Sequence, residues 1–348
     1  MMSALQLNPD DLASFDTVYR QVQKRAEHNL PDKIVDLKKL TYLKSGNVYV
    51  PGLGVLEMNR WSKMQISNAL GIDWDKWFRH ASDQEVQEEI LRRLNRSPQV
   101  YMVRSRRHFK AKAGSDGVLR AFLTPTYEAI DDVRVFDRMK AGFKDRLADM
   151  RFIKKRTQET DKSSHFTLIT GDVFDGADPK ADGKAGDPIY FGIKIRNSET
   201  GFSALTADDF TIRVRCLNGL ISWLRNDRLM YRRHRHISDD DIDGMLTHMF
   251  GIIPAHQDQI KAQWAAARSV AFQSHEDAKA AIDRFLDRRK FPKKVIEAAR
   301  VAYDQEPNPT GIGVLNAITA AARDITGDVD RRQDLEQAAG RYLMTLRG

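Results

Sequence analysis

The feature that most constrains this chain is a change of hydrophobic period along it. Residues 99–112, QVYMVRSRRHFKAK, alternate like a β-strand, and so do IYFGIKIR (189–196) and FTIRVRC (210–216). Before and after them the apolar residues recur at helical spacing. Leu12, Phe15, Val18, Tyr19 and Val22 do so near the N-terminus, and Ile130, Val133, Phe136, Met139, Phe143 and Leu147 in the middle. A chain that moves from period 3.6 to period 2 and back predicts an α+β fold. Its centre is a mostly antiparallel sheet with helices on one face, and it is followed by a helical C-terminal region.

The expected organisation has three parts. Residues 1–91 form a mainly helical region with one short hairpin, TYLKSGNVYVPG. Residues 92–236 form an α+β core. Residues 237–348 are all-helical. Within the core, the strand 99–112 pairs with VLRAFL through the loop AGSDG, and RFIKKR and HFTLIT supply further strands. Residues 127–149 and 218–232 read as helices. Ser82 with Glu85, Ser238 with Asp241 and Ser274 with Asp277 predict helix starts.

Charge follows the same division. The 348 residues carry a net charge of +8, but unevenly. Residues 1–91 hold 11 Lys/Arg and 13 Asp/Glu, a net of −2; residues 92–236 hold 30 and 18, a net of +12; the remainder holds 15 and 17, a net of −2. A basic middle between near-neutral flanks points to a polyanionic partner.

Strand alternation predicts where that charge lies. Arg104, Arg106, His108, Lys110 and Lys112 share one face of 100–112, Lys194 and Arg196 one face of the next strand, and Arg213 and Arg215 one face of the third. The expectation is one sheet with a basic face and an apolar face. On the predicted helix 218–232, Arg225, Arg228, Arg232 and Arg235 form a stripe at its end. Same-face residues on a strand stand about 6–7 Å apart, which suits successive phosphates of an extended single strand. Phe109, Tyr127 and Tyr190 are candidates to stack on bases. If about six phosphates are contacted, log K falls with a salt slope of about −4 on single strands.

Catalytic constellations are poor by comparison. Cys216 is the single cysteine, so neither an internal disulfide nor a multi-cysteine zinc site can form. His234-x-His236 has metal-ligand spacing but cationic surroundings. The acids Asp239, Asp240, Asp241 and Asp243 suit a helix start. Asp172, Asp175, Asp178, Asp182 and Asp187 lack the spacing of a calcium loop. Asp187 followed by Lys194 resembles the acid and lysine of metal-dependent nucleases, but Gly192 stands where the second acid belongs. No Walker loop, nucleophile elbow or dinucleotide fingerprint occurs. The expected chain needs no cofactor or metal and leans away from an enzyme.

Three stretches carry a resemblance. In the middle, Asn197-Ser-Glu-Thr-Gly201 precedes a strand that leads to Cys216, Asn218 and Gly219, then to the basic residues Arg232 to His236. Asn316, Ala317 and Thr319 follow near the C-terminus, and WSKMQISNALGI lies near the N-terminus. In order and wording they resemble the phage/plasmid-like family known as domain of unknown function 932, over roughly residues 55–325. The late helix reads AAARDITG, where the family carries aromatic and charged residues. The resemblance implies a mobile-element setting and no activity. The expectation is therefore a homo-oligomeric protein that binds single-stranded DNA in recombination, annealing or replication. The alternatives are a metal-dependent nuclease, or an interaction protein such as a host-defence inhibitor. The N-terminus has no signal-peptide pattern and no run reaches the about 20 apolar residues of a membrane span, so a cytoplasmic protein without a membrane partner is expected.

Overall fold

The computed structural model describes residues 7–94, 100–175, 188–213, 218–222, 229–323, 325 and 329–346. The N-terminal elements are β1 (Leu12–Ser14), α1 (Phe15–Ala26), β2 (Lys33–Asp36), β3 (Thr41–Tyr42), β4 (Asn47–Val50), β5 (Gly54–Met58), α2 (Arg60–Leu70), α3 (Trp74–Trp77) and α4 (Asp83–Leu94). The centre contains β6 (Val100–Lys112), β7 (Ser115–Leu123), α5 (Asp132–Ala148), β8 (Arg151–Ile153), β9 (Gln158–Glu159), β10 (Ser164–Asp175), β11 (Pro188–Asn197), β12 (Leu205–Arg213), β13 (Asn218–Ser222) and β14 (Met230–Arg232). Five helices close the chain: α6 (Asp239–Ser269), α7 (His275–Arg288), α8 (Lys293–Gln305), α9 (Gly311–Arg323) and α10 (Val329–Thr345). The fold is α+β, with antiparallel-dominated sheets and a helical C-terminal region.

The strands form two sheets rather than one. The first runs β2-β6-β7-β5-β4-β3, and the second β1-β8-β10-β11-β12-β13, with β9 on β10 and β14 on β12. The three alternating strands predicted to share a sheet are therefore divided: β6 lies in the first, β11 and β12 in the second. Pairing also crosses residue 91, since Val35 lies opposite Tyr101. The described residues among the first 91 contribute five strands as well as helices.

Local chemistry explains the helix starts. Ser82 Oγ accepts from Glu85 N while Glu85 accepts from Ser82 N, and the same reciprocal box joins Ser238 and Asp241. Ser274 Oγ accepts from Asp277 N. Gly71, at φ 67, ends α2 in the left-handed conformation. The predicted helix 218–232 is not formed by its described residues. Asn218–Ser222 pair with Asp209–Arg213, and Met230–Arg232 pair with Leu205–Ala207. The two halves take opposite ends of β12, and ladder pairing overrides the helical spacing.

Among the described residues, three large apolar cores stand beside two smaller clusters. The first sheet packs on α2 to α4 through Leu56, Ile66, Val86, Ile90, Val103 and Leu119. The second packs on α1, α5 and the first half of α6 through Phe136, Phe152, Ile193, Leu246 and Phe250. The second half of α6 joins α7 to α10, with Ile189 and Phe191 of β11 beneath. Between its halves α6 contains Pro254, which cannot donate to the Phe250 carbonyl. Arg146 Nη1 takes that carbonyl instead, at 2.6 Å. Among the described residues no helix is long and apolar enough to cross a membrane.

Candidate functional site

In the β11–β12 connection, Asn197 to Thr200 are buried where the two sheets meet, and Gly201 follows them at the surface. Gly201 has φ 78, which a β-carbon would strain. Ser198 and Thr200 hydroxyls both donate to the Lys162 carbonyl, at 2.6 and 2.7 Å. The turn is therefore tight, and its centre lies inside the molecule, not at the surface. It carries Glu199 into the interior.

Four arginines converge there. Arg104 Nε donates to Asp32 at 2.9 Å, its Nη2 to Asp131 at 2.7 Å and its Nη1 to the Glu199 carbonyl at 2.9 Å. Arg106 holds Glu159 at 2.9 and 3.0 Å. Arg120 joins Glu199 at 2.6 Å and Glu159 at 3.0 Å. Arg25 reaches Glu159 at 3.1 Å. The β6–β7 register slips here: Arg104 lies opposite Ala121 and Ser105 opposite Leu119. Arg120 is the unpaired bulge residue, free to turn into the cluster.

Asp32, Asp131, Glu159 and Glu199 thus face Arg25, Arg104, Arg106 and Arg120. Burial works against the Glu199 charge, but Arg120 and Arg104 outweigh it and hold its carboxyl at about 2. Asp132 is different. Fully buried beside Glu199, it is pushed up to about 7 by burial first and by Glu199 next. It accepts from Asn197 Nδ2 at 2.8 Å, and its backbone N donates to Glu199 Oε1 at 2.8 Å. His234, 6% exposed, accepts from Ile130 N at 3.1 Å through Nδ1, while its Nε2 is buried without a partner. Burial, then Arg104, lower its pKa to about 4. His234 is a neutral core residue stacked on Tyr127, ring centroids 5.2 Å apart. Tyr127 is held by its hydroxyl on the Ser198 carbonyl.

The predicted basic face is therefore corrected. Arg104 and Arg106 do not line an open cationic surface, because Asp32 and Asp131 cover Arg104 and Glu159 and Glu199 cover Arg106. Lys194 is 1% exposed and donates to Glu336 of α10 at 3.2 Å; Arg156 binds the other oxygen of the same carboxylate. Arg196 is half-buried, its guanidinium 5.1 Å from the Phe202 ring centre. Arg213 ends β12, and nothing of its side chain is described. Arg215, Arg225 and Arg228 lie outside the described residues, as do Cys216 and Asp187. Arg232 closes on β14, 3.9 Å from Asp241, while Arg235 and His236 are exposed. Asp239 and Asp243 bind Arg134 and Arg138 of α5, beyond their helix-start role. No group of three metal-ligating side chains occurs among the described residues.

Beyond the bulge, β6 leaves the cluster and becomes accessible. Arg107, Phe109, Lys110 and Lys112 are exposed and His108 is half-buried. Lys112 pairs with Glu57, and His108 Nε2 lies 3.1 Å from Ser115 Oγ. Arg107 and Lys110 form no ion pair with a described residue. Phe109 is 54% exposed and rests against His28, ring centroids 4.5 Å apart.

Three grooves meet along this arm. One of about 370 Å³ lies between α1 and Phe109, lined also by Gln21, Lys24 and Arg25. The next, about 280 Å³, lies between Phe109 and Arg107 and reaches Arg106, Arg120 and Asn59. The third, about 470 Å³, lies beyond Arg107 and includes Lys33. Phe109 and Arg107 are the two walls shared between neighbours. Alternation left Arg107 off the predicted basic face, and only the fold shows that it is exposed there. Compared with family models, curated proteins and solved structures, the chain matches none.

Proposed function

We propose that the protein binds single-stranded DNA along the outer arm of β6, as a homo-oligomeric phage- or plasmid-type protein of recombination, annealing or replication. The observation that carries this reading is the pair Arg107 and Phe109. They stand two residues apart on one face of a strand, about 6–7 Å, and divide three contiguous grooves. That spacing lets a base stack on Phe109 while the next phosphate meets Arg107. Lys24 and Lys33 line the track. Asp32, Asp116 and Asp161 also line it, which keeps the interaction moderate.

The nuclease alternative has less support. Lys194 is sealed against Glu336. A β-carbon on Gly192 would lie 2.0 Å from the Leu168 carbonyl, so a carboxylate has no room there.

Fluorescence polarisation with a single-stranded oligonucleotide across a salt series tests the proposal. With about three phosphates contacted, the expected slope of log K is about −2. Arg107→Ala/Phe109→Ala should weaken binding at least about tenfold, in line with about 1–3 kcal/mol per stacked base. Unchanged affinity in that variant, or no binding by the wild type at low salt, refutes the reading and favours a protein partner.

A further inference from the structure

The near-neutral charge of the C-terminal third conceals a patch. Residues 284–294 contain Arg284, Arg288, Arg289, Lys290, Lys293 and Lys294, against Asp287 alone. They gather at the turn that joins α7 to α8, and all six cations are exposed. None forms an ion pair with a described residue. Nearby cations behave differently: Lys279 binds Glu276 and Asp304, and Arg300 binds Asp283. The unpaired charge is thus confined to one end of the helical hairpin.

Local preference explains only part of it. Arg288 at the end of α7 complements the helix dipole. Lys293 and Lys294 oppose the dipole, since they occupy the first turn of α8, which has no acidic residue and no side-chain cap from Pro292. Arg289 lies over the Phe285 ring at 4.5 Å, and burial together with Arg341 lowers its pKa. Like charges held together without carboxylates reduce stability, and a bound polyanion offsets that cost.

We infer that the α7–α8 turn is a second binding surface, which grips the phosphate backbone of duplex DNA. The chemistry favours this partner. Phe285 and Phe291 are half-buried and no large apolar side chain is exposed between residues 284 and 294, so the turn has nothing to stack on a base or insert in a bilayer. What remains is charge, and duplex DNA presents about one negative charge per 1.7 Å of axis. The surface rests on its own residues and is independent of the β6 grooves.

The test is polarisation binding to a duplex oligonucleotide from 50 to 200 mM salt, with Arg288→Ala/Lys293→Ala/Lys294→Ala beside the wild type. All three side chains are exposed and removing them relieves like-charge repulsion, so the variant should fold and melt no lower than the wild type. Duplex affinity should fall about tenfold or more at the lower salt, and the salt slope should shrink by about 2–3 units. Lys293→Arg/Lys294→Arg should retain affinity. An unchanged slope in the triple variant overturns the inference. So does loss of binding to phosphatidylserine vesicles with duplex binding intact, which would assign the turn to lipid headgroups. Loss of duplex binding in the triple variant, with no effect of Arg107→Ala/Phe109→Ala on single strands, would sustain this surface and reject the groove.

Discussion

Replacing Glu199 by Gln tests the charge logic of the buried cluster. Glu199 receives Arg120 at 2.6 Å and the Asp132 backbone N at 2.8 Å. Gln keeps the shape and one acceptor but removes the charge. At pH 5.5 Asp132 holds its proton, so the wild type sets four guanidinium groups against four carboxylates. Where Asp132 keeps its proton the variant has three carboxylates, and an uncompensated buried cation costs about 3–5 kcal/mol; because the Glu199 charge helps to raise Asp132, this limit lies at lower pH in the variant than in the wild type. At pH 8 Asp132 is ionised, because its pKa lies at about 7. In the variant that carboxylate takes over the missing charge, and the cost falls to about 1–2 kcal/mol, the value of the lost charge-assisted hydrogen bonding. Glu199→Gln/Asp132→Asn has no such reserve and should cost about 3–5 kcal/mol more than Asp132→Asn at both pH values. Urea unfolding followed by tryptophan fluorescence at the two pH values measures each difference. A Glu199→Gln cost independent of pH, or one equally pH-dependent in the Asp132→Asn background, would refute the reasoning.

Two further outcomes follow from single contacts. His234 has its pKa lowered from 6.5 to about 4, so its stabilising neutral form is fully present above pH 6.5 and is lost as pH falls through about 4; His234→Gln should flatten that part of the urea-unfolding pH profile. Arg146→Ala should cost about 1–2 kcal/mol by stranding the Phe250 carbonyl, and Pro254→Ala should recover most of it by restoring the helical donor; additive costs in the double variant would refute the link.

Period and capping were legible in the sequence because they are local. The alternation of 99–112 and 189–196 became β6 and β11, that of 210–216 lies in β12 up to Arg213, beyond which it falls outside the described residues, and Ser82, Ser238 and Ser274 start helices where their spacing predicts. What alternation conveys is which side chains share a face, and it says nothing of what meets that face. Arg106 finds Glu159 at a separation of 53 residues, and Lys194 finds Glu336 at 142. Neither pairing leaves a mark in a local pattern. The helical spacing read over 218–232 misled for the same reason, since Asn218–Ser222 and Met230–Arg232 pair with β12.

Net charge over a long segment fails in a related way. The +12 of residues 92–236 includes arginines neutralised by acids buried with them, while the −2 of residues 237–348 includes the unpaired turn at 284–294. An anionic partner responds to cations that remain in water without a carboxylate, which net charge over a segment does not count. Arg107 and Lys110 are what β6 offers, whereas the α7–α8 turn offers six side chains within eleven residues. Salt dependence counts such side chains directly, because each phosphate contact adds about 0.9 to the slope on duplex DNA and about 0.7 on single strands. A steeper slope on duplex than the ratio of those coefficients allows would therefore place the larger electrostatic contact on the helical turn, not on the sheet.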